Sequence, residues 1–324
     1  MLSSIFRSAA PGLAVAAALL AGCSAPAAPL VVPGAMPLQQ LRNSTTVAVA
    51  KARLNHQGYK ATAPLLFVTS LGNTSVLVYR ASGKDPKPLA TITDGLSNPF
   101  GACVDTAGTL YITNEPASGG WVSVYPLGKT KPSRIITDGI TGPAYCTIDA
   151  KGNLWVANAF GSNVSEYLYG ENKPHTVIRE GLLEPVGIVF DSSGNLYVGN
   201  GPLASQQNIE VYAPKSKSPS RTITNGVTSP CALAFDSNGT LYVANVYQDN
   251  VTEYRAGSSD PYQMITRAMR RPEGLAFDRN GKLYVSNESN IVEFAPGSLT
   301  PLNRRISKGL FEPNGVAHYP ASSP

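Results

Sequence analysis

Glu273 stands in "RPEGLAFD" and Asn314 in "EPNGVAHY", each one residue after a proline. A carboxylate beside an amide oxygen could begin a site for a hard cation such as Ca²⁺, which takes six or more oxygen ligands. The same position in four related phrases holds Phe100, Ala144, Val186 and Cys231, and none of these offers a charged oxygen. One carboxylate does not make such a cage. The reading is therefore no metal and no cofactor, with Ca²⁺ the cation the pair would suit, and Glu273 is expected to be a solvated or Arg271-paired residue at a mouth. Nucleophilic chemistry finds no constellation either. The three histidines, His56, His175 and His318, lie in unrelated places, and G-x-S-x-G, C-x-x-C and H-E-x-x-H are absent. No catalytic residue is assigned. What remains is contact surface. Loops 115–121 ("EPASGGW") and 201–208 ("GPLASQQN") and the aromatic residues Phe100, Tyr145, Trp121, Phe160 and Tyr247 suit a concave rim that meets a protein, peptide or glycan. The expected ligand-contact set is Phe100, Tyr145, Glu273, Asn314, Trp121 and Tyr247. A net charge of +5 is too mild to imply nucleic acid.

The elements that must position these residues are written as a repeat. "LYITN", "LWVAN", "LYVGN", "LYVAN" and "LYVSN" recur, with a worn copy "LLFVTS" at 65–70. The leucines Leu66, Leu110, Leu154, Leu196, Leu241 and Leu283 are spaced 42–45 residues apart. Prolines at 99, 143, 185, 230, 272 and 313 keep the same beat, and all but the last are followed six residues later by Asp105, Asp149, Asp191, Asp236 or Asp278. Each Asp opens a D-x-x-G turn, because its side chain can cap the turn and glycine accepts the left-handed conformation that re-enters the next strand. An aromatic residue (Tyr79, Tyr125, Tyr167, Tyr212, Tyr254, Phe294) ends a third strand, and a fourth such as "SRTIT" follows. Four short antiparallel strands, here called a to d, in about 43 residues make one propeller blade. The fold class is all-β, a six-bladed propeller. The first copy lacks strand a and the last Pro heads a strand a with nothing after it, so the C-terminal strand should close the ring against 65–93. The amides that end strand b (Asn114, Asn158, Asn200, Asn245, Asn287) are expected to hold their own b–c loops. Cys103, Cys146 and Cys231 fall in apolar strands and read as small buried hydrophobes, with a Cys103–Cys146 bridge left open.

The N-terminus is a targeting segment. Arg7 precedes an apolar run at 12–22 that is too short to span a bilayer. The run ends in Leu20-Ala21-Gly22-Cys23, which resembles the bacterial lipobox. That resemblance implies acylation of Cys23 after removal of 1–22, and two chains hold a protein at a membrane where one is marginal. Segment 23–60 is expected to be a flexible stalk, 61–320 the propeller and 321–324 a tail. An exported protein at the bacterial cell envelope, at the outer membrane if one is present, is implied.

The units "P-x-G-x-x-x-D-x-x-G-N-L-Y-V-x-N" resemble NHL-type propeller repeats over roughly 65–319. The resemblance implies the fold and leaves activity open, because this architecture hosts binders and enzymes alike. The P-E-G and P-N-G elements are similar to those of gluconolactonase-like hydrolases, which hold a divalent cation over the channel. A metal-dependent hydrolase, or an enzyme of the streptogramin-lyase kind, is thus the alternative to a non-enzymatic, lipid-anchored binding or scaffolding module.

Overall fold

The computed structural model describes residues 58–201 and 207–320, and these form six four-stranded antiparallel sheets. Lipobox Cys23, most of the stalk and the tail lie outside the described residues. Blade 1 takes β1 (Leu65–Ser70), β2 (Ser75–Arg80) and β3 (Ala90–Ile92). Blade 2 is β4 (Pro99–Val104), β5 (Leu110–Asn114), β6 (Trp121–Tyr125) and β7 (Arg134–Ile136). Blade 3 is β8 (Pro143–Ile148), β9 (Leu154–Asn158), β10 (Asn163–Tyr167) and β11 (Thr176–Ile178). Blade 4 is β12 (Pro185–Phe190), β13 (Leu196–Asn200), β14 (Ile209–Tyr212) and β15 (Arg221–Ile223). Blade 5 is β16 (Pro230–Phe235), β17 (Leu241–Asn245), β18 (Asn250–Tyr254) and β19 (Pro261–Ile265). Blade 6 is β20 (Gly274–Phe277), β21 (Leu283–Ser286), β22 (Ile291–Phe294) and β23 (Pro301–Ile306). The last strand, β24 (Pro313–Tyr319), joins blade 1, pairing Leu65 with Tyr319 and Val68 with Val316. The ring is closed as the two incomplete ends of the repeat require. Tyr59, in the segment expected as stalk, packs its ring against Phe67 in the core of blade 1.

The repeated residues each have a physical task. Every turn aspartate accepts the backbone N–H four residues on, as Asp105 does from Thr109 and Asp191 from Asn195, both at 2.8 Å. The closing glycines 108, 152, 194, 239 and 281 all have φ between 78° and 87°. Strand b is buried on both faces, because each blade packs between two others. The strand-c tyrosines staple the blades together. Tyr125 donates its hydroxyl to the carbonyl of Asp94, Tyr167 to Asp138, Tyr212 to Glu180, Tyr254 to Asn225 and Tyr79 to Lys308, all at 2.6–2.8 Å. Each acceptor belongs to the end of the preceding blade's outer strand. Phe294 has no hydroxyl, so blades 5 and 6 lack this staple.

Two expectations are amended. The strand-b amides do hold their own b–c loops, as Asn200 Nδ2 does by donating to Asn208 Oδ1 at 2.6 Å and Asn114 Nδ2 to the Trp121 carbonyl at 3.5 Å, and they hold the incoming d–a connection as well. Asn114, Asn158, Asn200, Asn245 and Asn287 each accept the N–H of the residue seventeen positions earlier, at 2.9–3.2 Å. That residue lies just before the recurrent Pro, where the chain has crossed from one blade to the next and its N–H would otherwise be orphaned. The second correction concerns the cysteines. Cys103 on β4 and Cys146 on β8 are not separate fillers; their sulfurs are joined, with the Cα atoms 5.8 Å apart. Cys231 is fully buried in β16. The bridge clips the inner strands of blades 2 and 3 across 43 residues of chain. Replacing both Cys103 and Cys146 by Ala is expected to lower stability by about 2–4 kcal/mol, read as a fall in the urea midpoint with a steeper slope, because the unfolded chain without the bridge exposes more surface.

Candidate functional site at the loop face

The b–c and d–a connections gather at one end of the ring, and strand a carries the residues nearest the axis. In blades 2 to 5 and in β24, the register slips between the Pro and the residues after it, so that Pro99 faces Asn114 but Ala102 faces Ile112. This bulge turns the residue after Pro away from solvent. Phe100, Ala144, Val186, Cys231, Glu273 and Asn314 are all 4% exposed or less. They do not form an open mouth, contrary to expectation.

What they form is a plug. In four blades the second residue after Pro is glycine, because the next blade leaves no room: a Cβ on Gly101 would sit 2.6 Å from the carbonyl oxygen of Ala144. Blade 3 has Tyr145 there instead. Its hydroxyl lies 2.8 Å from Asn314 Oδ1 and 3.0 Å from the carbonyl oxygen of Glu273, residues of blades 1 and 6. Phe100 meets the Tyr145 ring edge-on at 5.5 Å. Burial pushes the Tyr145 hydroxyl well above its ordinary pKa, so it stays a neutral donor. The surrounding blades are stitched by hydroxyls: Thr69 Oγ1 donates to the Phe100 carbonyl at 2.7 Å, and Ser286 Oγ donates to the Asn314 carbonyl. Phe100, Tyr145, Glu273 and Asn314 are therefore brought together, as one sealed cluster. Asn314 Nδ2 has no hydrogen-bond partner among the described residues.

Tyr247 and Trp121 do not join that cluster. Tyr247 is 45% exposed on the blade 5 loop, within electrostatic reach of Arg271, Glu273 and Glu184. Trp121 starts β6 and donates its indole N–H to the Gly95 carbonyl at 3.0 Å, so it belongs to the contact between blades 1 and 2.

Besides Arg271 and the loop that begins at Glu115, the polar groups around the closed mouth come from positions that the sequence did not single out. The residue before each recurrent Pro (Asn98, Gly142, Glu184, Ser229, Arg271, Glu312) has φ between 49° and 58°. Five are not glycine, and holding them left-handed costs of order 1 kcal/mol each. Their types vary from blade to blade, which is the signal that could have found them. Glu184 and Glu115 are buried, at 7% and 4% exposure. Burial, then the nearby charge of Glu184, raises the Glu115 carboxyl to about 8. Burial also raises Glu273 to about 8; Arg271, with its guanidinium 3.7 Å away, opposes this, while Glu312 and Glu288 add to it. At neutral pH these two carboxyls are mostly protonated, and each can donate as well as accept a hydrogen bond. Among the described residues, no group of three or more His, Cys, Asp or Glu is placed to hold a metal ion.

Apolar side chains frame these acids. Phe160, Leu183, Tyr247 and Phe311 are 38%, 47%, 45% and 56% exposed, all on loops of this face. Phe160 and Phe311 pack against glycines of neighbouring loops, Gly142 and Gly72, where any Cβ would overlap the ring. Each ring is thus held with its other side outward.

No protein-family model matches this chain, and no curated protein matches it. Among solved structures, the fold is similar to one in the crystal structure of a nidogen/laminin complex, with a TM-score of 0.68 at 15% identity over 79% of this chain and 98% of that one. It is also similar to a protein of unknown function from Bacteroides caccae, with a TM-score of 0.64 at 14% identity over 79% and 99% of the two chains. Likeness at this identity establishes the six-bladed β-propeller and nothing finer.

Proposed function

We propose that this protein is a binding or scaffolding propeller of the NHL type, lipid-anchored at the bacterial cell envelope through Cys23, that engages a protein, peptide or glycan through its loop face. The observation that carries this reading is the set of Phe160, Leu183, Tyr247 and Phe311 exposed on a face whose channel is closed by Tyr145. Rigid apolar faces around buried, mostly protonated carboxyls suit a partner that offers flat apolar contacts and neutral hydrogen-bonding groups, such as a sugar or a peptide backbone. The anchor rests on the sequence: a lipobox-like Leu-Ala-Gly-Cys followed by an Ala/Pro-rich stalk. A stalk of this kind lets the ring reach partners away from the membrane.

The test places a photo-crosslinking amino acid at Tyr247, at Phe311 and, as a control, at Leu299 on the outer edge of blade 6, in living cells. Crosslinked species at the first two positions and not the third are expected. Equal or absent crosslinking at all three would refute loop-face binding. In the same cells, labelled palmitate is expected to enter the wild-type chain and not Cys23→Ser; labelling of both, or of neither, would remove the anchor from the proposal.

A further inference from the structure

The opposite end of the ring is open. A cavity of about 1000 Å³ rises from the face of the D-x-x-G turns up to Tyr145, and it widens along the cleft between blades 3 and 4. That volume is at the upper end of small-molecule sites. Its collar is set by the residue before each turn aspartate: Val104, Ile148, Phe190, Phe235, Phe277 and, in the closing strand, His318. Four of these, Val104, Ile148, Phe190 and Phe235, are only half-buried although they lie at the centre of the molecule. Three are fixed edge-on by a strand-b aromatic of the preceding blade: Trp155 on Phe190 at 5.4 Å, Tyr197 on Phe235 at 5.0 Å and Tyr242 on Phe277 at 5.0 Å. His318 is kept uncharged by burial, and its Nδ1 faces the Pro320 carbonyl oxygen, an acceptor, at 3.0 Å. The proton therefore sits on Nδ1. The collar is thus apolar and neutral; of the other charged groups that line the cavity, Asp105 accepts the Thr109 N–H, Glu166 accepts from the Asn153 amide, and Arg279 adds a cation.

The rim differs. Asp149 and Asp191 are occupied with their own turns: Asp149 Oδ1 accepts two backbone N–H groups, and its Oδ2 accepts from Asn153 and the Trp155 indole. Asp191 likewise accepts from Ser193, Asn195 and the Asn195 amide. Lys151, Lys215 and Lys217 line the same cavity and are exposed, and none is in an ion pair among the described residues. Neutral apolar walls behind a lysine rim match one kind of ligand. From this geometry we infer that the turn-face cavity binds an anionic amphiphile, with one apolar chain in the channel and a carboxylate or phosphate among Lys151, Lys215 and Lys217.

The chain has two tryptophans, Trp121 and Trp155, and Trp155 lines the cavity. The full chain carrying Trp121→Phe therefore reports from the cavity alone. It is titrated, below micelle formation, with decanoate, dodecanoate, dodecyl phosphate and dodecanol. Saturable change in Trp155 fluorescence is expected with the anions. Affinity should rise about fourfold for each added methylene, and dodecanol should bind at least tenfold more weakly than the twelve-carbon anions. Whether dodecanoate or dodecyl phosphate binds tighter identifies the head group. Adding Lys215→Gln and Lys217→Gln, which change only exposed side chains, should weaken the anions about tenfold and leave dodecanol unchanged. No saturable signal from any chain, or equal binding of anion and alcohol, or anion affinity that ignores the lysine changes, would overturn the inference.

Discussion

Raising the pH from 6 to 9 is expected to destabilise the propeller by several kcal/mol, and Glu115→Gln with Glu273→Gln to remove most of that loss. Both carboxyls have an ordinary pKa of 4.5 that burial raises to about 8 in the folded ring. Between these values the folded state holds a proton on each group that the unfolded chain has released. Stability therefore falls as pH rises, by about 1.4 kcal/mol per unit for each carboxyl, and levels off above the folded value. Below about 4.5 both states are protonated and the groups contribute no slope. The lowered pKa of His318 acts in the opposite sense, because the unfolded imidazole takes up a proton first; its effect is confined to pH below 6.5. Urea midpoints at half-unit steps from pH 6.5 to 9.5 isolate the glutamates. A flat profile in the wild type, or a double variant as steep as the wild type, would show that these carboxyls are ionised in the folded ring.

Tyr145→Ala is expected to cost about 3–5 kcal/mol and to open the channel from end to end. The ring fills the axis, and its removal leaves a cavity that the surrounding strands, stitched by the hydroxyls of Thr69 and Ser286, are poorly able to close. Tyr145→Phe keeps the ring but strips the hydroxyl from Asn314 Oδ1 and the Glu273 carbonyl, at an expected 1–3 kcal/mol. Denaturant unfolding of the two variants separates packing from hydrogen bonding. If both variants cost the same, the hydroxyl and not the ring holds the plug. Hydrogen exchange adds a spatial check, since the alanine variant should lose protection in the inner strands of blades 1, 3 and 6 first.

The architecture could be read from residues because each blade restates its own turn. Asp191 and Gly194 define one corner by local hydrogen bonding and left-handed backbone alone, and the other copies repeat it. The incomplete ends at Leu65 and Pro313 then dictated closure. The candidate site was less legible, and the reason is also local. Which residue faces the axis depends on a bulge after Pro, and a slip of one position exchanges outside for inside. Phe100 and Asn314 were placed at a rim and are buried beneath it. Glu115 and Glu184, on flanking positions, bring further buried carboxyl groups to this face. Tyr145 was named as an aromatic contact, but its reach from blade 3 to Asn314 requires knowing the diameter of the ring. The Cys103–Cys146 bridge needed the same knowledge, because how closely the inner strands of two neighbouring blades approach is set by the size of the ring.

The pairing of Leu65 with Tyr319 has a bearing on biogenesis. A chain made from its N-terminus onward has its first sheet missing the innermost member. That sheet offers a bare apolar edge until the final few residues are released. Folding of the whole ring must therefore wait for the end of synthesis. During that wait the exposed edge is a ready template for stray strands, so shielding of that edge or quick release of the tail is a requirement of this topology and not a convenience.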